Sequence, residues 1–160
     1  MKRLLSALLA LALLLATGCA SANSSGEMVV GDDIAFEELT DFYYTYDAST
    51  APPHYQRYRF YVQDGVHYFY HETREGGGWP QTEENITRSG TVELTDAQWM
   101  AFCNLLRGGT ASRREENLND GDAGPYLYIY WVGGEEEGRE FSFASYTEET
   151  EFEEFCAALA

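Results

Sequence analysis

From Leu39 onward, apolar and polar positions alternate in short runs separated by turn residues. Between Tyr55 and Val62, one face carries Tyr58, Phe60 and Val62, and the other carries Arg57, Arg59 and Tyr61. A period of two describes a strand with one face buried. Asp64-Gly65 follows, the dipeptide of a tight hairpin, and Val66 to Thr73 supplies the partner strand. Phe42 to Tyr46 predicts another strand, and Ile86 to Leu94 a further one interrupted at Ser89-Gly90. Tyr126 to Val132 and Glu140 to Ser145 flank a Gly/Glu turn and predict a second hairpin. Tyr61 and Tyr68 belong on sheet surfaces, where aromatic rings pack well.

Two segments carry the helical period. Thr95 and Gln98 form a capping box, with Leu94 and Trp99 as a hydrophobic staple around it. Trp99, Met100, Cys103 and Leu106 then recur at helical spacing, Arg107 suits the C-terminal dipole, and Gly108-Gly109 ends the helix. A final helix is expected from about Thr147 to Leu159. Glu148, Glu149 and Glu151 stand at its positive end, and Phe152, Phe155, Cys156 and Leu159 form its buried face. Between the elements, Glu75 to Pro80 and Thr110 to Gly124 read as loops.

Hairpins imply antiparallel pairing, and two amphipathic helices can cover one face of the resulting sheet. The expected fold is α+β, an antiparallel sheet of about five to six strands with two helices packed on one face. The length suits one domain, placed at residues 35–160.

The N-terminus has a different pattern. Lys2 and Arg3 precede an apolar run from Leu4 to Leu15. As a helix this run is about 18 Å long, too short for a hydrocarbon core of about 30 Å. It ends in Ala16-Thr17-Gly18-Cys19, which resembles the lipobox of bacterial lipoproteins. The resemblance covers the first nineteen residues. It implies cleavage of a signal peptide at residues 1–18, a diacylglyceryl group on the Cys19 thiol, and an extracytoplasmic domain held at the cell membrane. Two acyl chains suffice for stable anchoring. Ala20-Ser21-Ala22 is an alternative, A-x-A-like cleavage site that would release a secreted protein. Residues 19–34, rich in Ala, Ser, Asn and Gly, are expected to form a flexible linker. The hairpin and terminal-helix layout is similar to that of small uncharacterised lipoproteins of Gram-positive bacteria, a likeness that implies no activity.

Charge narrows the partners. The chain carries a formal charge of −17, and loss of Lys2 and Arg3 with the signal peptide takes it to −19. Such a surface repels nucleic-acid phosphates and anionic headgroups, so the lipid is the expected membrane contact and no nucleic-acid partner is expected. With Cys19 acylated, Cys103 and Cys156 are the remaining pair. Both lie on apolar helix faces, compatible either with a disulfide in an oxidising compartment or with buried thiols.

Candidate chemistry is sparse. His67 and His71 have the H-x-x-x-H spacing of a zinc helix but fall on a strand. There, four residues span about 13 Å, too far for shared bonds of about 2.1 Å. They read as surface histidines beside Phe69, and no metal is expected. Asn117, Asn119, Asp120 and Asp122 evoke a calcium loop, but Gly121 directly follows Asp120 and a turn explains the same residues. No G-x-S-x-G elbow, phosphate loop or activated cysteine occurs, so no cofactor and no catalytic residue are assigned. Tyr43, Tyr61, Tyr68 and Trp79 are candidates for an aromatic ligand platform. The expectation is a non-enzymatic binding domain for a protein, peptide or glycan. The alternatives are an accessory subunit of an envelope complex and an enzyme with an unrecognised site. The sequence sets no oligomeric state.

Overall fold

Eight strands hydrogen-bond side by side in one antiparallel sheet in the computed structural model, which describes residues 26–49, 53–113, 126–133 and 138–160. In chain order they are β1 (Glu27–Val29), β2 (Leu39–Ala48), β3 (His54–Gln63), β4 (Val66–Glu75), β5 (Ile86–Glu93), β6 (Thr110–Arg113), β7 (Tyr126–Gly133) and β8 (Arg139–Tyr146). The helices are α1 (Val30–Asp33), α2 (Asp96–Arg107) and α3 (Glu149–Leu159). The spatial order is β1-β6-β8-β7-β2-β3-β4-β5, so the long strand β2 sits at the centre between the two hairpins. The α+β class holds, with more strands than the expected five to six.

The β3–β4 hairpin forms where the Asp-Gly signal places it. Asp64 and Gly65 take φ of 52° and 78°, the left-handed pair that a two-residue hairpin turn requires. The register puts Phe42 opposite Phe60 and Phe60 opposite Phe69. On the other side of β2, Phe42 faces Trp131 and Tyr44 faces Ile129. These side chains form one apolar face, and both long helices cover it. Phe102 of α2 reaches Phe42 and Phe60, while Phe152 of α3 reaches Phe42, Tyr44, Tyr58 and Phe60. The capping box at α2 is present: the Thr95 side chain accepts from the Gln98 backbone, and Gln98 returns a bond from the Thr95 backbone amide.

Three expectations are corrected. Residues 27–34 are not part of a linker, because β1 pairs with β6 in register Met28 to Ala111, and Met28, Val30 and Ile34 are buried. The start of the loop from Thr110 is strand β6, which joins β1 to β8. These strands have three and four residues, too few to display a period. Finally, His71 is not a surface histidine but is buried beside Phe69 on the core face of the sheet. Gly90 lies opposite it across β4–β5, and a Cβ there would come within 2.7 Å of its Nε2. The interruption read at Ser89-Gly90 is thus a continuous strand that makes room for an imidazole. Burial lowers the His71 pKa, helped by nearby Arg88.

Candidate functional site

The strand period that buries Phe42, Phe60 and Phe69 sends their neighbours to the opposite face. Registers align these in rows across the central strands. One row runs Tyr128, Thr45, Arg57, Glu72; the next runs Glu140, Tyr130, Tyr43, Arg59, Tyr70; a third runs Asp41, Tyr61, Tyr68. Both long helices lie on the other side. Among the described residues only the loop after β4 folds over an end of this face, where Trp79 donates its indole N–H to Asp47 at 3.1 Å and Arg74 donates to the Gln81 carbonyl.

Rings and guanidinium groups interleave here. Tyr43 meets Tyr130 edge to face with centroids 5.4 Å apart, and Tyr61 stacks on Tyr68 at 5.3 Å. Arg59 lies 4.5 Å from the Tyr61 centroid and 5.0 Å from that of Tyr43. Arg57 lies 5.1 Å from Tyr43 and 5.3 Å from Tyr55. Such cation–π contacts contribute about 0.5–1 kcal/mol at exposed sites. Burial raises the Tyr43 pKa, and Asp41 adds to the effect while Arg59 and Arg57 oppose it. Tyr43 is therefore a neutral hydroxyl at physiological pH.

The three arginines differ in what they hold. Arg59 grips Asp41 with two parallel bonds, Nε to Oδ1 at 3.0 Å and Nη2 to Oδ2 at 2.6 Å. Arg74 donates Nε and Nη2 to Oε1 of Glu72, whose Oε2 accepts the Tyr70 hydroxyl at 2.6 Å. Glu72 is buried, and this double pairing compensates its charge. Burial and the hydrogen bond to Glu72 push the Tyr70 hydroxyl up to about 12. Arg57 has neither arrangement. Its Nε donates to Thr45 Oγ1 at 3.3 Å, and its fork has no carboxylate partner among the described residues. A shallow depression of about 250 Å³ opens beside it, lined by Tyr43, Thr45, Arg57, Tyr128, Tyr130 and Glu140.

Of the proposed platform residues, Tyr43, Tyr61 and Tyr68 share this face. Trp79 stands at its end, half-exposed. Arg57, Tyr128, Tyr130 and Glu140 were not singled out by sequence reading. The alternation already placed Arg57 away from the core, but its lack of a carboxylate partner depends on which residues the register brings beside it.

The remaining candidates lie elsewhere. His67 stacks on Trp99 with centroids 4.2 Å apart, and His71 is buried beside Phe69, so they form no common site. Cys103 and Cys156 are free, buried thiols on different helices, without the disulfide that their positions allowed. Burial pushes the Cys103 thiol up to about 11 and raises that of Cys156 as well. Among the described residues no cluster of three or more His, Cys, Asp or Glu could hold a metal. No described helix is long and apolar enough to cross a membrane. Cys19 and the Asn117–Asp122 loop lie outside the described residues. No family model matches the chain, and neither a curated protein nor a solved structure matches it at a significant level.

Proposed function

We propose that this chain is a lipid-anchored extracytoplasmic binding domain, tethered through Cys19, whose ligand surface is the sheet face opposite α2 and α3 and whose ligand is a glycan. The display of partly exposed Tyr43, Tyr61, Tyr68, Tyr128 and Tyr130 with interleaved arginines on that face supports this reading. Cross-strand ring pairs steady the sheet, and the same ordered rings give a sugar a surface for its C–H face and hydroxyl edges for its own hydroxyls. The face is the middle of a sheet whose strands are already paired on both sides, so an extended peptide cannot join it by strand addition.

Two experiments test the two halves of the reading. Cys19→Ala should move the protein from the membrane fraction to the soluble extracytoplasmic fraction; unchanged membrane association would remove the anchor. Against a glycan array, the full-length protein should bind, and Tyr43→Ala with Tyr130→Ala should abolish binding while leaving thermal unfolding cooperative. An array without hits would remove the glycan.

A further inference from the structure

Within that face, the depression beside Arg57 has a built polarity. Its floor is Thr45, which is fully buried, and its walls are the rings of Tyr43, Tyr128 and Tyr130. Arg57 stands on one rim and Glu140 on the opposite one, three strands away along the register from β3 through β2 and β7 to β8. Glu140 also lies two residues along from the row of Arg57, so at about 4.8 Å per strand and about 3.4 Å per residue the backbones under the two groups are about 16 Å apart, the length of about three linked sugar rings.

Arg57 is prepared for a planar anion. Its Nε donates to Thr45 and its guanidinium carbon is held between contacts to Tyr43 and Tyr55, which leaves Nη1 and Nη2 without a hydrogen-bond partner among the described residues. Arg59 and Arg74 show what such a fork does on this same surface: each takes a carboxylate through two nitrogens. A guanidinium already held by these three contacts loses less further freedom on forming the same pair than a free one would. Glu72 lies beside Arg57 in the register but is taken by Arg74 and Tyr70, and in a domain with excess negative charge an arginine bonded to no carboxylate among the described residues is complementary to a ligand that brings one. Glu140 at the far rim repels a second carboxylate and accepts hydroxyl groups.

Resting on the glycan reading above, we infer that the depression binds an acidic saccharide, with the carboxylate of one uronic-acid unit paired to Arg57 and the neutral hydroxyls of a neighbouring unit at Glu140. The tyrosine walls hold the rings between these two contacts.

The test is calorimetric titration of the full-length protein in detergent with a trisaccharide of two galactose units and one terminal galacturonate, and with galactotriose, its neutral counterpart. The expected result is at least tenfold tighter binding of the mono-uronate trisaccharide, weakening as salt is raised. Arg57→Gln should abolish the difference, and Arg57→Lys should restore only part of it, because an ammonium has no fork. Trigalacturonate, which brings further carboxylates towards Glu140, should bind more weakly than the mono-uronate trisaccharide, and Glu140→Gln should tighten trigalacturonate and leave galactotriose unchanged. Unaltered melting temperatures of the three variants separate these effects from misfolding. Equal affinity for the mono-uronate trisaccharide and galactotriose, or a preference that survives in Arg57→Gln, overturns the carboxylate pairing and leaves the glycan-binding face standing. Arg57-dependent binding of a peptide with a free C-terminal carboxylate, with no binding of any of the saccharides, overturns the saccharide and points to a peptide. No binding of any of these, together with an empty glycan array, overturns both readings.

Discussion

Phe60 of β3 and Phe102 of α2 stack face to face, with centroids 3.8 Å apart and planes within 6° of parallel. Both rings are fully buried. The pair fixes where α2 crosses the sheet, because Phe102 also meets Phe42 on the neighbouring strand and Trp99 on its own helix. Phe102→Ala removes a ring that close-packed neighbours cannot replace. The expected loss is about 3–5 kcal/mol of unfolding free energy, read as a lower urea midpoint with little change in slope. A loss below about 1 kcal/mol, the range of ordinary surface substitutions, would show that α2 is not held there.

The N-terminal segment is tied to the same helix by a backbone contact. Gly31 of α1 lies against the Arg107 carbonyl, whose carbon would be 2.7 Å from a Cβ at position 31. Val30 donates its amide to the Gly109 carbonyl at 2.9 Å. The obstacle is backbone, so it cannot swing aside as a side chain would. Gly31→Ala should therefore destabilise the protein by about 1–3 kcal/mol, the usual cost of overpacking, measured by denaturant unfolding. If residues 27–33 were a free linker, the substitution would be silent.

That segment marks the limit of what is legible in the sequence. Long elements with a clear period could be read: the β3–β4 hairpin from alternation and Asp64-Gly65, α2 from its capping box, and α3 from Phe152 and Cys156. Short elements could not, since three residues such as Glu27–Val29 become a strand only when β6 supplies the hydrogen bonds. The burial of His71 was hidden for a related reason: Gly90 makes room for it from another strand. The candidate site was half legible. Tyr43, Tyr61 and Tyr68 could be named as exposed rings, but the difference between Arg57 and the paired Arg59 and Arg74 arises only when register sets each beside its neighbours.

The two helix cysteines predict a chemical signature. Burial raises both thiol pKa values, so little thiolate exists at pH 8 and the sulfur atoms are shielded. Native protein from the membrane fraction should react negligibly with a thiol reagent such as Ellman's, and after unfolding should release two thiols without prior reduction. Two thiols appearing only after reduction would establish a Cys103–Cys156 bridge. A third thiol would show that Cys19 is present and unacylated.

A carboxyl pair on α3 gives the fold a pH dependence of known sign. The Tyr44 hydroxyl lies 2.9 Å from Glu149 Oε1 and 3.2 Å from Glu153 Oε1, and its single proton cannot serve both fully. The Glu153 pKa is raised, first by burial and then by the neighbouring Glu149, against the opposing hydrogen bond from Tyr44. A raised folded pKa means that the native state holds the proton more tightly than the unfolded chain. Its stabilising contribution is full below the ordinary carboxyl range and is lost as pH rises through the raised value. Glu153→Gln keeps an oxygen to accept from Tyr44 and removes the charge. It should raise the unfolding midpoint at pH 7 by a modest amount, below about 1 kcal/mol once solvent screening of this half-buried group is allowed for. The gain should shrink as pH falls through the raised pKa of Glu153 and vanish below the ordinary carboxyl range, where unfolding curves of variant and wild type should coincide. A gain that persists there would place its origin in packing instead of charge.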